Sequence, residues 1–126
     1  MNNFLVIATK RSPEIILIPD GILMIKGSSH PPDVTDFYKP VFNWLAEFKK
    51  QVKAEVRLTL DLDYIDTPST RVILEVLKIV AELAGQKTKV KIIWKYEHED
   101  HDMLEQGKIY ETKTNFPFEF IEKPAS

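Results

Sequence analysis

The chain contains no cysteine. Disulfides, thiolate metal sites and a cysteine nucleophile are therefore excluded. Its only four glycines are scattered at 21, 27, 85 and 107, so no glycine-rich phosphate loop can be built. No Gly-x-Ser-x-Gly elbow occurs either, which removes the usual serine-hydrolase signature. No stretch approaches the ~20 consecutive apolar residues of a membrane span. The formal net charge is −2, with acidic and basic residues interspersed. A nucleic-acid surface would need a basic stripe, so no nucleic-acid partner and no membrane partner are expected. The opening residues lack a basic start and a leader-length apolar run, and a cytoplasmic location is expected.

What is present fits one domain over residues 1–126. A chain of this size buries roughly two-thirds of the surface it exposes when unfolded. The stretch from Leu58 to Arg71 organises the rest. Leu58, Leu60 and Leu62 alternate with Thr59, Asp61 and Asp63, the period of a strand with one apolar face. After Tyr64 and Ile65, Asp66 and Thr67 are good helix N-caps, and Pro68 falls where a first turn tolerates it. Thr67, Ser69 and Thr70 then lie at the positive end of a helix. Such a place can hold an anion or carry a phosphate.

Around this stretch, Phe4 to Ala8 reads as extended. Glu14 to Ile18 and Ile22 to Lys26 form a hairpin about Pro19-Asp20-Gly21. Gly27 to Pro32 is expected to be a loop. Asp33 should cap a helix in which Val34, Phe37, Tyr38, Val41, Phe42, Leu45, Phe48 and Val52 recur at helical spacing; Pro40 falls inside it and removes one backbone bond. Ala54 to Leu62 is a strand. A second helix is expected from Pro68 to Ala84, stopped by Gly85. Leu74 lies off its main apolar face, either in a broad core contact or at a docking surface. Lys89 to Tyr96 is a strand in which Ile93 breaks the alternation, suggesting cover on both faces. His98 to Gly107 is polar, with Met103 and Leu104 as a short helical contact. Phe116, Phe118 and Phe120 suggest a last edge strand. This order predicts an α/β fold. A central mixed β-sheet would be flanked by helices, and the strands on either side of the Pro68 helix would be parallel neighbours.

Three constellations could carry chemistry. In the Asp66–Thr70 turn, a phosphate would add about −1.5 to −2 charges. His98-Glu99-Asp100-His101-Asp102 could offer metal ligands, but a solvated acidic loop explains it as well, and no bound metal is expected. Ser28, Ser29 and His30 are too close in sequence to supply a catalytic triad by themselves.

The chain as a whole resembles the SiaC family of bacterial regulatory phosphoproteins. The resemblance rests on Arg11-Ser12-Pro13-Glu14, Gly27-Ser28-Ser29-His30-Pro31, Phe37-Tyr38 through Trp44-Leu45, and Tyr64-Ile65-Asp66-Thr67-Pro68-Ser69. It continues through Trp94-Lys95-Tyr96, Asp102-Met103-Leu104-Glu105-Gln106-Gly107 and Pro117-Phe118. It implies a STAS-like (SpoIIAA-like) fold, as in anti-anti-sigma factors, and no enzymatic activity or cofactor. A dedicated kinase would phosphorylate one threonine, and a PP2C-type phosphatase would reverse this. The unphosphorylated form would bind a diguanylate cyclase and promote cyclic-di-GMP synthesis. The matching threonine is Thr67, in a family motif that usually reads Tyr-Phe/Leu-Asn-Thr-Ser-Ser. Asp66 stands here for the Asn and Pro68 for the first Ser, and His30-Pro31-Pro32 replaces a more usual Tyr-Pro-Glu. Tyr64, Asp66, Pro68, Ser69 and Thr70 would form the switch turn that meets the partner.

Two other readings compete. One is a small anion- or metal-binding enzyme using the Asp66–Thr70 turn or the His98–Asp102 cluster. The other is a module that simply holds an anion at the Pro68 helix. An enzyme should gather acid, base and nucleophile around a pocket. The sequence offers one credible polar site, which favours the switch.

Overall fold

The computed structural model describes residues 1–51 and 53–125. Val52, assigned above to the first helix, lies outside the described residues. The elements are β1 (Phe4–Val6), β2 (Glu14–Ile18), β3 (Ile22–Ser29), α1 (Val34–Phe48), β4 (Glu55–Ile65), α2 (Thr67–Ala81), β5 (Lys89–Tyr96), α3 (His101–Thr114) and β6 (Glu119–Glu122). They form one six-stranded sheet whose spatial order, β1-β2-β3-β4-β5-β6, follows the chain. The first two pairings are antiparallel and the remaining three parallel. The expected parallel neighbours are β4 and β5, with Leu58 opposite Ile92 and Leu60 opposite Trp94.

Three successive crossovers step across the sheet in one direction. Right-handed crossovers that keep stepping one way place their helices on a single face. The core agrees. Ile15, Leu17, Leu23, Ile25, Val56, Leu58, Leu60, Leu62, Ile92 and Trp94 are strand residues of one parity. They pack with Tyr38, Val41, Leu45, Phe48, Ile73, Val76, Leu77, Val80, Met103 and Tyr110 from the helices. Each fully buried aliphatic among them contributes ~1.5–3 kcal/mol. Ile93 points the other way, opposite Thr59 and Glu119. It is buried but stands outside that core cluster. Its break in the alternation therefore marks a central strand shielded by neighbouring strands, not a second helical layer.

Three local expectations change. Gly27 to Ser29 continue β3 instead of starting a loop. Helix α2 ends at Ala81, with Glu82 as its C-cap in right-handed conformation. The chain then tightens through three-residue turns, Leu83 N–H to Val80 O and Ala84 N–H to Ala81 O, so Gly85 is not the stop. The polar stretch after His98 becomes α3, fourteen residues long. It buries only Met103, Gly107 and Tyr110, too thin a stripe to read in sequence. Gly107 lies against the indole of Trp94, where an added Cβ would come within 2.6 Å of the ring. The residue that reads as a helix breaker is what lets the helix approach. No helix among the described residues is long and apolar enough to cross a membrane.

Candidate functional site

The turn at Thr67 is set by a bulge. Along β3 and β4 the register runs Lys26–Asp61 and Gly27–Leu62, then shifts to Ser28–Tyr64 and Ser29–Ile65. Asp63 is the extra residue, and its carboxylate accepts from Ser28 Oγ at 2.6 Å. Gly27, beside the shift, has φ of +120°, a conformation glycine adopts without steric cost. Bulges re-aim the side chains beyond them. Here Ile65 turns toward the core and Tyr64 turns out, 53 % exposed, with its ring edge-on to His30 at 5.3 Å. His30 is itself held by Lys10 and Arg11. Its Nε2 lies 3.0 Å from the Lys10 carbonyl, and Arg11 Nε donates to the His30 carbonyl at 3.3 Å.

One more ladder-like bond, Asp66 N–H to Ser29 O at 3.0 Å, delivers the chain into α2. Asp66 is the N-cap, and its carboxylate accepts from Ser69 N–H at 2.8 Å. The Asp66 carbonyl accepts twice more, from Thr70 N–H at 3.0 Å and Thr70 Oγ1 at 2.9 Å. Two tyrosines brace the turn from either side. Tyr38 on α1 lies 2.7 Å from Ser29 Oγ, which donates to Ser69 Oγ at 2.9 Å. Ser29 has one proton, so the phenol of Tyr38 donates to Ser29. On α3, Tyr110 OH donates to the Thr70 carbonyl at 2.8 Å. Both phenols are raised in pKa chiefly by burial, that of Tyr38 to about 12.

The three hydroxyls at this turn thus have separate employments. Ser69 is fully buried and Thr70 is bonded to the backbone. Thr67 is exposed, and its hydroxyl makes no hydrogen bond among the described residues. It stands on a ridge between two clefts. One, of about 550 Å³, lies between α1 and α2 and is lined by Val34, Thr35, Phe42, Thr67, Pro68, Arg71, Val72 and Glu75. The other, of about 410 Å³, lies between α2 and α3 and is lined by Thr67, Thr70, Arg71, Leu74, Gln106, Ile109, Tyr110 and Lys113. Leu74, the residue off the main face, is in the second.

A model of the SiaC family regulatory phosphoproteins matches residues 6–123. The chain belongs to the SiaC family. Among solved structures of similar fold, SiaC of Pseudomonas aeruginosa superposes with a TM-score of 0.85 at 22 % identity, covering 98 % of this chain and 100 % of that one. A family member also appears in a complex described as the diguanylate cyclase SiaD with its activator SiaC, from the same organism. There the TM-score is 0.86 at 22 % identity, with 95 % and 99 % covered. An uncharacterized protein of P. aeruginosa strain UCBPP-PA14 is 24 % identical over 98 residues, 78 % of each chain.

The second constellation is dispersed. Asp100 caps α3, accepting from Met103 N–H at 3.1 Å. His98 Nδ1 lies 3.0 Å from Glu122, and His101 is exposed on the first turn of α3. Among the described residues, no three His, Asp or Glu gather closely enough to hold a metal. Sequence reasoning missed Tyr38 as a polar brace, because it was one apolar beat in a helical stripe. It missed Tyr110 because only a short helical contact about Met103 and Leu104 is expected there, whereas α3 runs on to Thr114. Arg71 carried a readable signal, its four-residue spacing from Thr67 on one helix face.

Proposed function

We propose that this chain is a non-enzymatic switch protein of a bacterial kinase and PP2C-type phosphatase pair, phosphorylated on Thr67. The unphosphorylated form binds and activates a diguanylate cyclase, raising cyclic-di-GMP, and phosphorylation releases it. The observation that carries this reading is the selective exposure of Thr67. Of three hydroxyls at the turn, it alone combines exposure with an uncommitted oxygen. A kinase can reach it without opening the core, and a phosphatase can reach the product. Membership of a family of regulatory phosphoproteins supports the modification, and the cyclase complex of the P. aeruginosa protein supports the partner.

The ridge explains how a small modification can act on a large surface. A partner seated over Thr67 and the flanking clefts would have to desolvate a dianion after phosphorylation. Each ~1.4 kcal/mol so lost weakens binding tenfold. The fold itself should change little, since no core contact passes through the Thr67 hydroxyl. The test is mass spectrometry after incubation with the cognate kinase and ATP, then titration of both forms against the cyclase. Phosphate on Thr67, much weaker binding of the phosphorylated form, and constitutive binding by Thr67→Ala are expected. Phosphate on another residue, or equal affinity of the two forms, would overturn the reading.

A further inference from the structure

The backbone at the start of α2 has little left to offer a phosphate on Thr67. Asp66 already occupies Ser69 N–H, Thr70 N–H is in the helix ladder, and Pro68 has no N–H, which leaves only the N–H of Thr67 itself. The Asp66 carboxylate next to the site opposes a second negative group. A cationic side chain is the stronger source of compensation, and the fold places one there. Arg71 follows Thr67 by one helical turn, a spacing that brings side chains to ~5–6 Å between Cβ atoms. Both residues line both clefts. Arg71 is exposed and makes no ion pair among the described residues.

We propose that Arg71 is the residue that receives the phosphate on Thr67. This rests on Thr67 being the modified residue. Arginine is suited to the role because its planar fork can bond two phosphate oxygens at once. The consequence is a switch with two parts. In the unmodified protein the guanidinium stands free on the ridge, available to an acidic group of the partner. In the modified protein it is held by the chain's own phosphate, so the partner meets new negative charge and loses a cation together. Of the other charged groups, Asp66 adjoins Thr67 in the chain and Glu75 lines the first cleft, and both oppose the phosphate, while Lys113 lines the second cleft from α3. The lining from α1 is uncharged: Val34, Thr35 and Phe42.

The experiment installs phosphothreonine at position 67 by genetic encoding, so that no kinase is needed. A ³¹P NMR titration then follows the second ionisation of the phosphate, which is ~6 when unperturbed. An opposite charge at close range lowers such a value. Arg71→Gln should raise the midpoint by about half a pH unit or more relative to the otherwise unchanged phosphoprotein. Arg71→Lys should recover part of the difference, and Lys113→Gln should have the smaller effect. Arg71 is exposed, so each variant should keep the fold, which circular dichroism checks. A midpoint unmoved by Arg71→Gln, or a shift produced by Lys113→Gln alone, overturns the proposal. Failure of the kinase to modify Thr67 would overturn the proposed function and leave this titration intact.

Discussion

Replacing Tyr38 with phenylalanine should lower stability at neutral pH and raise it at high pH. Tyr38 is fully buried and donates its phenol proton to Ser29 at 2.7 Å. Removing that bond costs ~1 kcal/mol, because Ser29 keeps Ser69 as a partner and no buried group is orphaned. The alkaline side has the opposite sign. Burial is the largest cause that pushes the phenol from 10.0 up to about 12; the Ser29 bond opposes this and the Asp66 carboxylate adds to it. Between those values the unfolded chain has lost the Tyr38 proton and the native protein still holds it. The native state therefore binds more protons, and stability falls as pH rises. The contribution is whole below pH 10 and gone above about 12. One pH unit is worth ~1.4 kcal/mol, so about 3 kcal/mol is lost across the interval. Phenylalanine does not ionise and loses none of it. The two stability curves should cross between about pH 10 and 11, where the native tyrosine has lost the ~1 kcal/mol that its hydrogen bond supplies. Tyr110, also raised by burial, is present in both proteins and largely cancels. Urea unfolding followed by tryptophan fluorescence at pH 7, 10 and 11.5 measures the difference. A constant gap at all three, or a variant still weaker at pH 11.5, would refute the argument.

Gly107→Ala should destabilise the protein by ~1–3 kcal/mol through overpacking. The new methyl would meet a Trp94 ring that cannot retreat, since its Nε1 donates to the Met103 carbonyl at 2.9 Å. A urea midpoint at or above wild type, as helix propensity alone would give, would show that α3 is not seated on this ring. Asp66→Ala should cost ~1 kcal/mol as a lost N-cap, whereas Asp66→Asn should stay within a few tenths of wild type. Equal losses for the two in the same unfolding assay would mean that charge, not the cap, holds the turn.

The parts of the fold written in strong periodicity were legible. The alternation of Leu58, Leu60 and Leu62, the Asp66 cap and the apolar face of the following helix place the turn correctly. Two kinds of information were not local. The bulge at Asp63 depends on the register between β3 and β4, which no single segment carries. Helix α3 depends on a contact between Gly107 and Trp94, so its own pattern is weak and its central glycine misleads. The site was half visible for the same reason. Hydroxyl residues at a helix start could be seen, but the surroundings that bury Ser69 and leave Thr67 exposed come from Ser29 on β3, with Tyr38 behind it, and from Tyr110 on α3. Arg71 was visible as a letter four places on, and only the two shared clefts give it a neighbour.

Strand order and chain order coincide in this sheet, and that has a consequence for the protein's birth. A chain leaving the ribosome folds from its N-terminus, emerging at ~5–20 residues per second. Each new strand here can dock on the one made just before it. The brace from Tyr110 to the Thr70 carbonyl, however, comes from forty positions downstream. The ridge bearing Thr67 is therefore among the last features to be closed, after most of the sheet exists. A nascent chain and a finished one present this threonine differently, one on a loosely held first turn and the other on a braced ridge.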